Sequence, residues 1–137
     1  MEKHLPTKEE LTEYLRFAPF HRWLDLRIGE ITDDGLEIIM PWRPEIISNT
    51  NPKEVIHGGI LASLIDLTGL YAVLSQCVKT TSTAYVHVDY HRLATSGPIS
   101  AKAKILKIGR TLSTVEIFVY GPDGTLLASG RGGYPCS

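Results

Sequence analysis

Apolar and polar residues alternate from Leu24 to Trp42, in LDLRIGEIT and again in LEIIMPW, with Asp33-Asp34-Gly35 between the two runs. Period-two alternation around a turn sequence predicts a β-hairpin. Four further strand-like runs lie in the second half. Thr81–Arg92 places Ala84, Val86, Val88 and Tyr90 on one face, and Pro98–Ile108 alternates with Lys102 and Lys104 together on one face. Thr111–Tyr120 is rich in β-formers, and Gly121-Pro122-Asp123-Gly124 turns it into a last strand, Thr125–Tyr134. Two segments break this alternation. Thr7–Phe17 predicts a short helix, with Thr7 as N-cap, Glu10 completing a capping box and Pro19 as the stop. His57–Cys77, HGGILASLIDLTGLYAVLSQC, is apolar on nearly every helical face, so this helix is expected to be buried on most sides. Arg43–Ile56, with its prolines, asparagines and charges, reads as loop.

The expected order is therefore helix, two strands, long helix, four strands. One long helix wrapped by a curved, mostly antiparallel sheet buries it most economically, which makes the fold class α+β. A single helix covers only part of such a sheet, so an edge or a face is expected to pair with another subunit.

With 137 residues, 43% apolar and 21% charged, the chain is foldable and suits one domain, 1–137, with a core of about 22–134. A net charge of −1 argues against a protein held on nucleic acid or anionic lipid by bulk charge. Cys77 and Cys136 make no disulfide framework, which points to a reducing, cytoplasmic setting. The segment MEKHLPTKEE has no apolar core and is not a secretory signal. The apolar stretch Ile60–Leu74 is short and carries Asp66, so no membrane span is expected.

Asp66 is the residue out of place. Apart from titratable His57, it is the only formally charged residue between Glu54 and Lys79. A buried carboxylate must be solvated in a cleft, hydrogen-bonded or protonated. It is therefore either a catalytic carboxylate lining a pocket or a group bonded to a neighbour such as Ser63 or Thr68. The start of the same helix favours catalysis. His57-Gly58-Gly59 puts two glycines in the first turn, where a ligand can approach the backbone and the free N–H groups and helix dipole form an oxyanion site. Gly58 and Asp66 are eight residues apart, about 12 Å along a helix axis. They cannot both touch one carbonyl carbon. Two antiparallel copies of the helix across a two-fold axis would bring Gly58 of one chain to Asp66 of the other, which predicts a dimer with two shared sites.

HGGILASLID, with Asn51 before it and the strand pattern after it, resembles the hotdog-fold acyl-coenzyme A thioesterases, and most of all their PaaI-type, phenylacetate-pathway branch. The resemblance spans roughly Arg22 to Tyr134. It implies that the Gly58 N–H polarises the thioester carbonyl, that His57 and Asn51 shape the pocket, and that Asn51 contacts the thioester or positions water. It makes Asp66 the general base or nucleophile and Thr83 a hydroxyl holding the water or the carboxylate. Asn51 and Gly58 would come from one subunit, Asp66 and Thr83 from its partner. Thr83 stands where some relatives have Ser, and Ser82 is adjacent. Arg92, Arg110 and Arg131 are candidates for the coenzyme A phosphates. The implied partners are an acyl-CoA substrate and a second copy of the chain, as a homodimer or a homotetramer, and coenzyme A enters only as part of the substrate.

Two rival functions remain from the sequence: a hotdog enoyl-CoA hydratase or dehydratase, and a non-catalytic acyl-CoA-binding domain. The first generally pairs a His with a carboxylate, and His57 is poorly placed for that. The second needs no Asp66. No GxSxG, Walker A, GxGxxG or HExxH motif is present. His87, Asp89 and His91 share a strand face, but no metal is expected there, and a polar subunit interface suits them better.

Overall fold

The computed structural model describes residues 4–76 and 78–136. Cys77, the expected end of the long helix, and the ends of the 1–137 span lie outside the described residues.

Thr7 opens α1 (Lys8–Leu15) with the expected capping box: the Glu10 N–H donates to Thr7 Oγ1 at 3.1 Å and the Thr7 N–H donates to Glu10 Oε1 at 3.2 Å. The helix ends at Leu15 with Arg16 as its C-cap, two residues short of the expected Phe17, and Pro19 starts α2 (Pro19–Trp23), a short helix the pattern does not predict. Proline suits a first helical position, where its missing N–H would have had no partner. The hairpin forms as β1 (Arg27–Thr32) and β2 (Gly35–Met40). Residues 43–56, expected as loop, hold one 3-10 turn and two strands, β3 (Ile47–Asn49) and β4 (Val55–Ile56), which pair antiparallel. At three and two residues they are too short for alternation to reveal.

The buried helix is α3 (Gly58–Leu74), followed by β5 (Tyr85–Tyr90), β6 (Ile99–Lys107), β7 (Leu112–Tyr120) and β8 (Leu126–Pro135). β5 is shorter than the predicted run because residues 81–84 are not in the ladder. Six strands form one antiparallel sheet in the order β1-β2-β6-β7-β8-β5. Its inner face buries Ile38, Ile99, Ala101, Val115, Ile117 and Val119 against Leu61, Leu64 and Ile65 of α3. The helix lies close on β8: a Cβ on Gly130 would stand 2.9 Å from Ile65 Cγ2. A long helix packed in a curved antiparallel sheet, with a short helix before it, is the hotdog fold.

The two sheet edges differ. At β1 the register is broken between Ile28 and Ile31, and α1 lies against the strand. β5 is regular and pairs on one side only, with β8, among the described residues. Tyr85, Val86 and Tyr90 on it are 43%, 40% and 54% exposed. No helix among the described residues is long and apolar enough to cross a membrane.

Candidate active site

α3 begins with an unusual allocation of donors. His57 is its N-cap, and its Nδ1 accepts the Gly59 N–H at 2.9 Å. In the neutral ring this puts the proton on Nε2. The His57 carbonyl accepts the N–H groups of Ile60 at 3.0 Å and Leu61 at 3.4 Å. The Gly58 N–H has no partner among the described residues. It is the one first-turn donor left open at the positive end of the helix.

Gly58 borders a cavity of about 260 Å³, which Ile56, Leu61, Tyr90, Arg92 and Leu93 also line. The Tyr90 hydroxyl donates to the Gly58 carbonyl at 2.7 Å. A Cβ on Gly58 would meet the Tyr90 ring at 3.2 Å, so the glycine leaves the tyrosine room. Arg92 and Leu93 also line a second cavity of about 310 Å³, with Thr95, Asp123 and Thr125. Of the three candidate arginines, Arg92 is therefore the one at the Gly58 end of α3. Arg110 follows β6 at the opposite end of the sheet. Arg131 lies on the outer sheet face, beside His87, Asp89 and Glu116.

Asp66 sits two turns further along α3 and is half-buried. Thr83 Oγ1 donates to its Oδ1 at 2.6 Å, a length typical of a hydroxyl on a carboxylate. Neither helical neighbour serves it. Ser63 Oγ donates to the Gly59 carbonyl at 2.9 Å and Thr68 Oγ1 to the Leu64 carbonyl at 2.5 Å, the usual fate of such hydroxyls within a helix. Asp66 Oδ2 has no protein partner among the described residues, which leaves one carboxylate oxygen for a ligand or water. The Asp66 carbonyl accepts the hydroxyl of buried Tyr134 at 2.8 Å. Burial, with the Asp66 charge second, pushes the Tyr134 phenol well above its ordinary value, so this hydroxyl stays a donor.

The structure thus joins Asp66 to Thr83, and Gly58 to His57, but keeps the two pairs apart within one chain. Gly58 and Asp66 are eight positions apart on uninterrupted helix, about 12 Å. Asn51 is exposed in the loop between β3 and β4, its N–H donating to Asn49 Oδ1 at 3.1 Å, and it shares no hydrogen bond with either pair. His87 pairs instead with Asp89 at 3.0 Å, and His91 with Ser129 at 2.8 Å. The sequence reading missed Tyr90 and Tyr134 as site neighbours. Alternation already grouped Tyr90 with the apolar face of its strand, but nothing local marks Tyr134, which is 68 residues from Asp66.

The fold that carries these residues has counterparts among known proteins. The thioesterase superfamily pattern matches residues 53–128, more than half of the chain, so the chain belongs to that superfamily. It is 37% identical to a superfamily member of known X-ray structure, with a TM-score of 0.85 over 93% of this chain and 96% of that one. It is 29% identical over 122 residues to the "Putative esterase" of Halobacterium salinarum, covering 82% of this chain and 80% of the relative. Zebra fish thioesterase superfamily member 2 shares the fold, with a TM-score of 0.82 at 22% identity, over 96% of this chain and 99% of that one. Membership places the chain among thioester hydrolases in general.

Proposed function

We propose that the protein hydrolyses acyl-coenzyme A thioesters, as a PaaI-type enzyme with its sites shared between two subunits. The observation that carries this is a pairing on one helix: an open N–H at Gly58, and a carboxylate at Asp66 that Thr83 holds by one oxygen and leaves free at the other. The substrate carbonyl oxygen accepts the Gly58 N–H of one subunit, which stabilises negative charge as it develops. Asp66 of the other subunit takes a proton from water as the water oxygen bonds to the carbonyl carbon. The tetrahedral intermediate collapses with cleavage of the C–S bond, and the proton passes to the departing thiolate, giving free acid and coenzyme A. No group is needed beyond the coenzyme A of the substrate itself.

A second copy of the chain completes the site. The open, regular edge of β5 offers it a place to pair, because its unpaired N–H and C=O groups need partners. Two such dimers would make the homotetramer. Arg92, beside the Gly58 cavity, suits a coenzyme A phosphate better than Arg110 or Arg131 does. Asn51 and His57 belong to the Gly58 half of the site. The cytoplasm, where acyl-CoA and reduced cysteines occur together, is a setting that suits this function.

A panel of acyl- and aryl-CoA substrates with a thiol reagent tests the reading. Free thiol release is expected. Loss of enoyl absorbance without thiol would make the protein a hydratase, and binding without turnover would make it an acyl-CoA-binding domain.

Thr83→Val removes the hydroxyl from Asp66 but keeps the branched shape. The carboxylate loses its orienting bond and keeps its charge, so kcat is expected to fall about tenfold, well short of loss of the base itself. Steady-state kinetics on the folded variant measures this, and an unchanged kcat would mean that Thr83 serves the fold alone.

A further inference from the structure

The sheet grips α3 through apolar packing and through two hydrogen bonds to the helix backbone. Tyr90, the last residue of β5, donates to the Gly58 carbonyl at 2.7 Å. Tyr134, near the end of β8, donates to the Asp66 carbonyl at 2.8 Å. No other side chain of the sheet bonds the α3 backbone among the described residues; the other side-chain bonds to it, from His57, Ser63, Thr68 and Ser75, stay within the helix and its caps. The two carbonyls the tyrosines choose belong to the two residues the proposed reaction needs.

Space is kept for both hydroxyls. A Cβ at Gly58 would press on the Tyr90 ring at 3.2 Å. A Cβ at Gly69 of α3 or at Gly132 of β8 would overlap the Tyr134 hydroxyl. Apolar contacts are non-directional and let a helix slide or turn by fractions of an ångström at little cost, whereas hydrogen bonds fix distance and direction.

We infer that Tyr90 and Tyr134 are positioning residues that set the height and rotation of α3, and with them the places of the Gly58 N–H and the Asp66 carboxylate. This rests on the thioesterase reading with shared sites, and it explains why two anchors serve better than one. If two α3 helices run antiparallel across a two-fold axis, a slide of each along its own direction moves them opposite ways. The gap between Gly58 of one chain and Asp66 of the other then changes by twice the slide. An anchor at each catalytic residue suppresses that error at both ends.

The test compares Tyr90→Phe, Tyr134→Phe, Thr68→Val and Asp66→Asn in the full chain. The phenylalanines keep the rings and remove only the hydroxyls. Thr68→Val removes a buried bond to the α3 backbone that anchors nothing to the sheet, so it reports the effect of lost stability alone. Each phenylalanine variant is expected to lose about tenfold in kcat, with KM within about twofold of the parent, as small misplacements of reacting groups do. Amide hydrogen exchange should quicken near Ala62 for Tyr90→Phe and near Leu70 for Tyr134→Phe, since those N–H groups face the released carbonyls. Thr68→Val should lower the melting temperature without this loss of kcat. If Asp66→Asn is inactive but the phenylalanine variants keep the parent kcat, or lose activity only in step with melting temperature as Thr68→Val does, the positioning role is overturned and the thioesterase reading stands. If the parent releases no thiol, the thioesterase reading falls and takes the positioning role with it; if it releases thiol but Asp66→Asn is as active as the parent, Asp66 is not the base and the positioning role falls with that assignment alone.

Discussion

Asp66→Asn is expected to remove nearly all thioester hydrolysis while leaving the fold intact. Asparagine has almost the volume of aspartate, and its amide oxygen can still accept the Thr83 hydroxyl, which now lies 2.6 Å from Oδ1. The Asp66 carbonyl keeps Tyr134, because that bond is to the backbone. Packing, the helix and the local hydrogen bonds are therefore preserved, and only the ability to take a proton is lost. If Asp66 is the general base, kcat should fall by about 10²–10⁴-fold. A melting temperature near that of the parent must accompany the loss, so that inactivity cannot be put down to unfolding. A folded Asp66→Asn protein that still hydrolyses acyl-CoA at the parent rate would end the assignment. The expected contrast with Thr83→Val adds a gradient: loss of the base outweighs loss of its holder.

What could be read before the structure was what the chain encodes locally. The capping box of Thr7 and Glu10 is complete within four residues, and the Asp33-Asp34-Gly35 turn sits between two clean alternations, so both form as expected. The apolar surround of α3 could be read for the same reason, and it exposed Asp66 as the charge without an obvious partner. Its actual partner could not be found by looking nearby. Ser63 and Thr68 are close in sequence, but a helix turns their hydroxyls back onto its own carbonyls. Thr83 reaches Asp66 because the chain after α3 folds back along the sheet, a long-range event that pattern does not encode and that only family resemblance suggested. Tyr134 is further still, brought to α3 by the placing of β8 between β7 and β5. α2 escapes the pattern because a proline reads first as a helix stop, yet it is also a favoured first helical residue, the place Pro19 takes.

The remaining prediction concerns the distance between Gly58 and Asp66. Within one chain they are fixed on one helix, about 12 Å apart, so they can serve the same carbonyl only from different subunits. Two singly defective proteins should then repair each other. Gly58→Ala puts a methyl group against the Tyr90 ring, at 3.2 Å from its nearest carbon, and crowds the open N–H. Asp66→Asn removes the base. Each alone should be folded, dimeric and nearly inactive, because both of its sites carry the defect. In a mixed dimer, one site carries both substitutions and the other carries neither, so that native Gly58 faces native Asp66 there. Random exchange makes about half of all dimers mixed, so about a quarter of all sites should be intact by the symmetry of an isologous pair. Mixing the two inactive proteins under conditions of subunit exchange should thus raise activity to about a quarter of the parent value per chain. Exchange is verified with differently tagged chains, and the activity of the mixture is compared with the sum of the two proteins kept apart. If tagged heterodimers form and activity stays at that sum, Gly58 and Asp66 do not meet across the two-fold axis, and the shared-site mechanism is wrong.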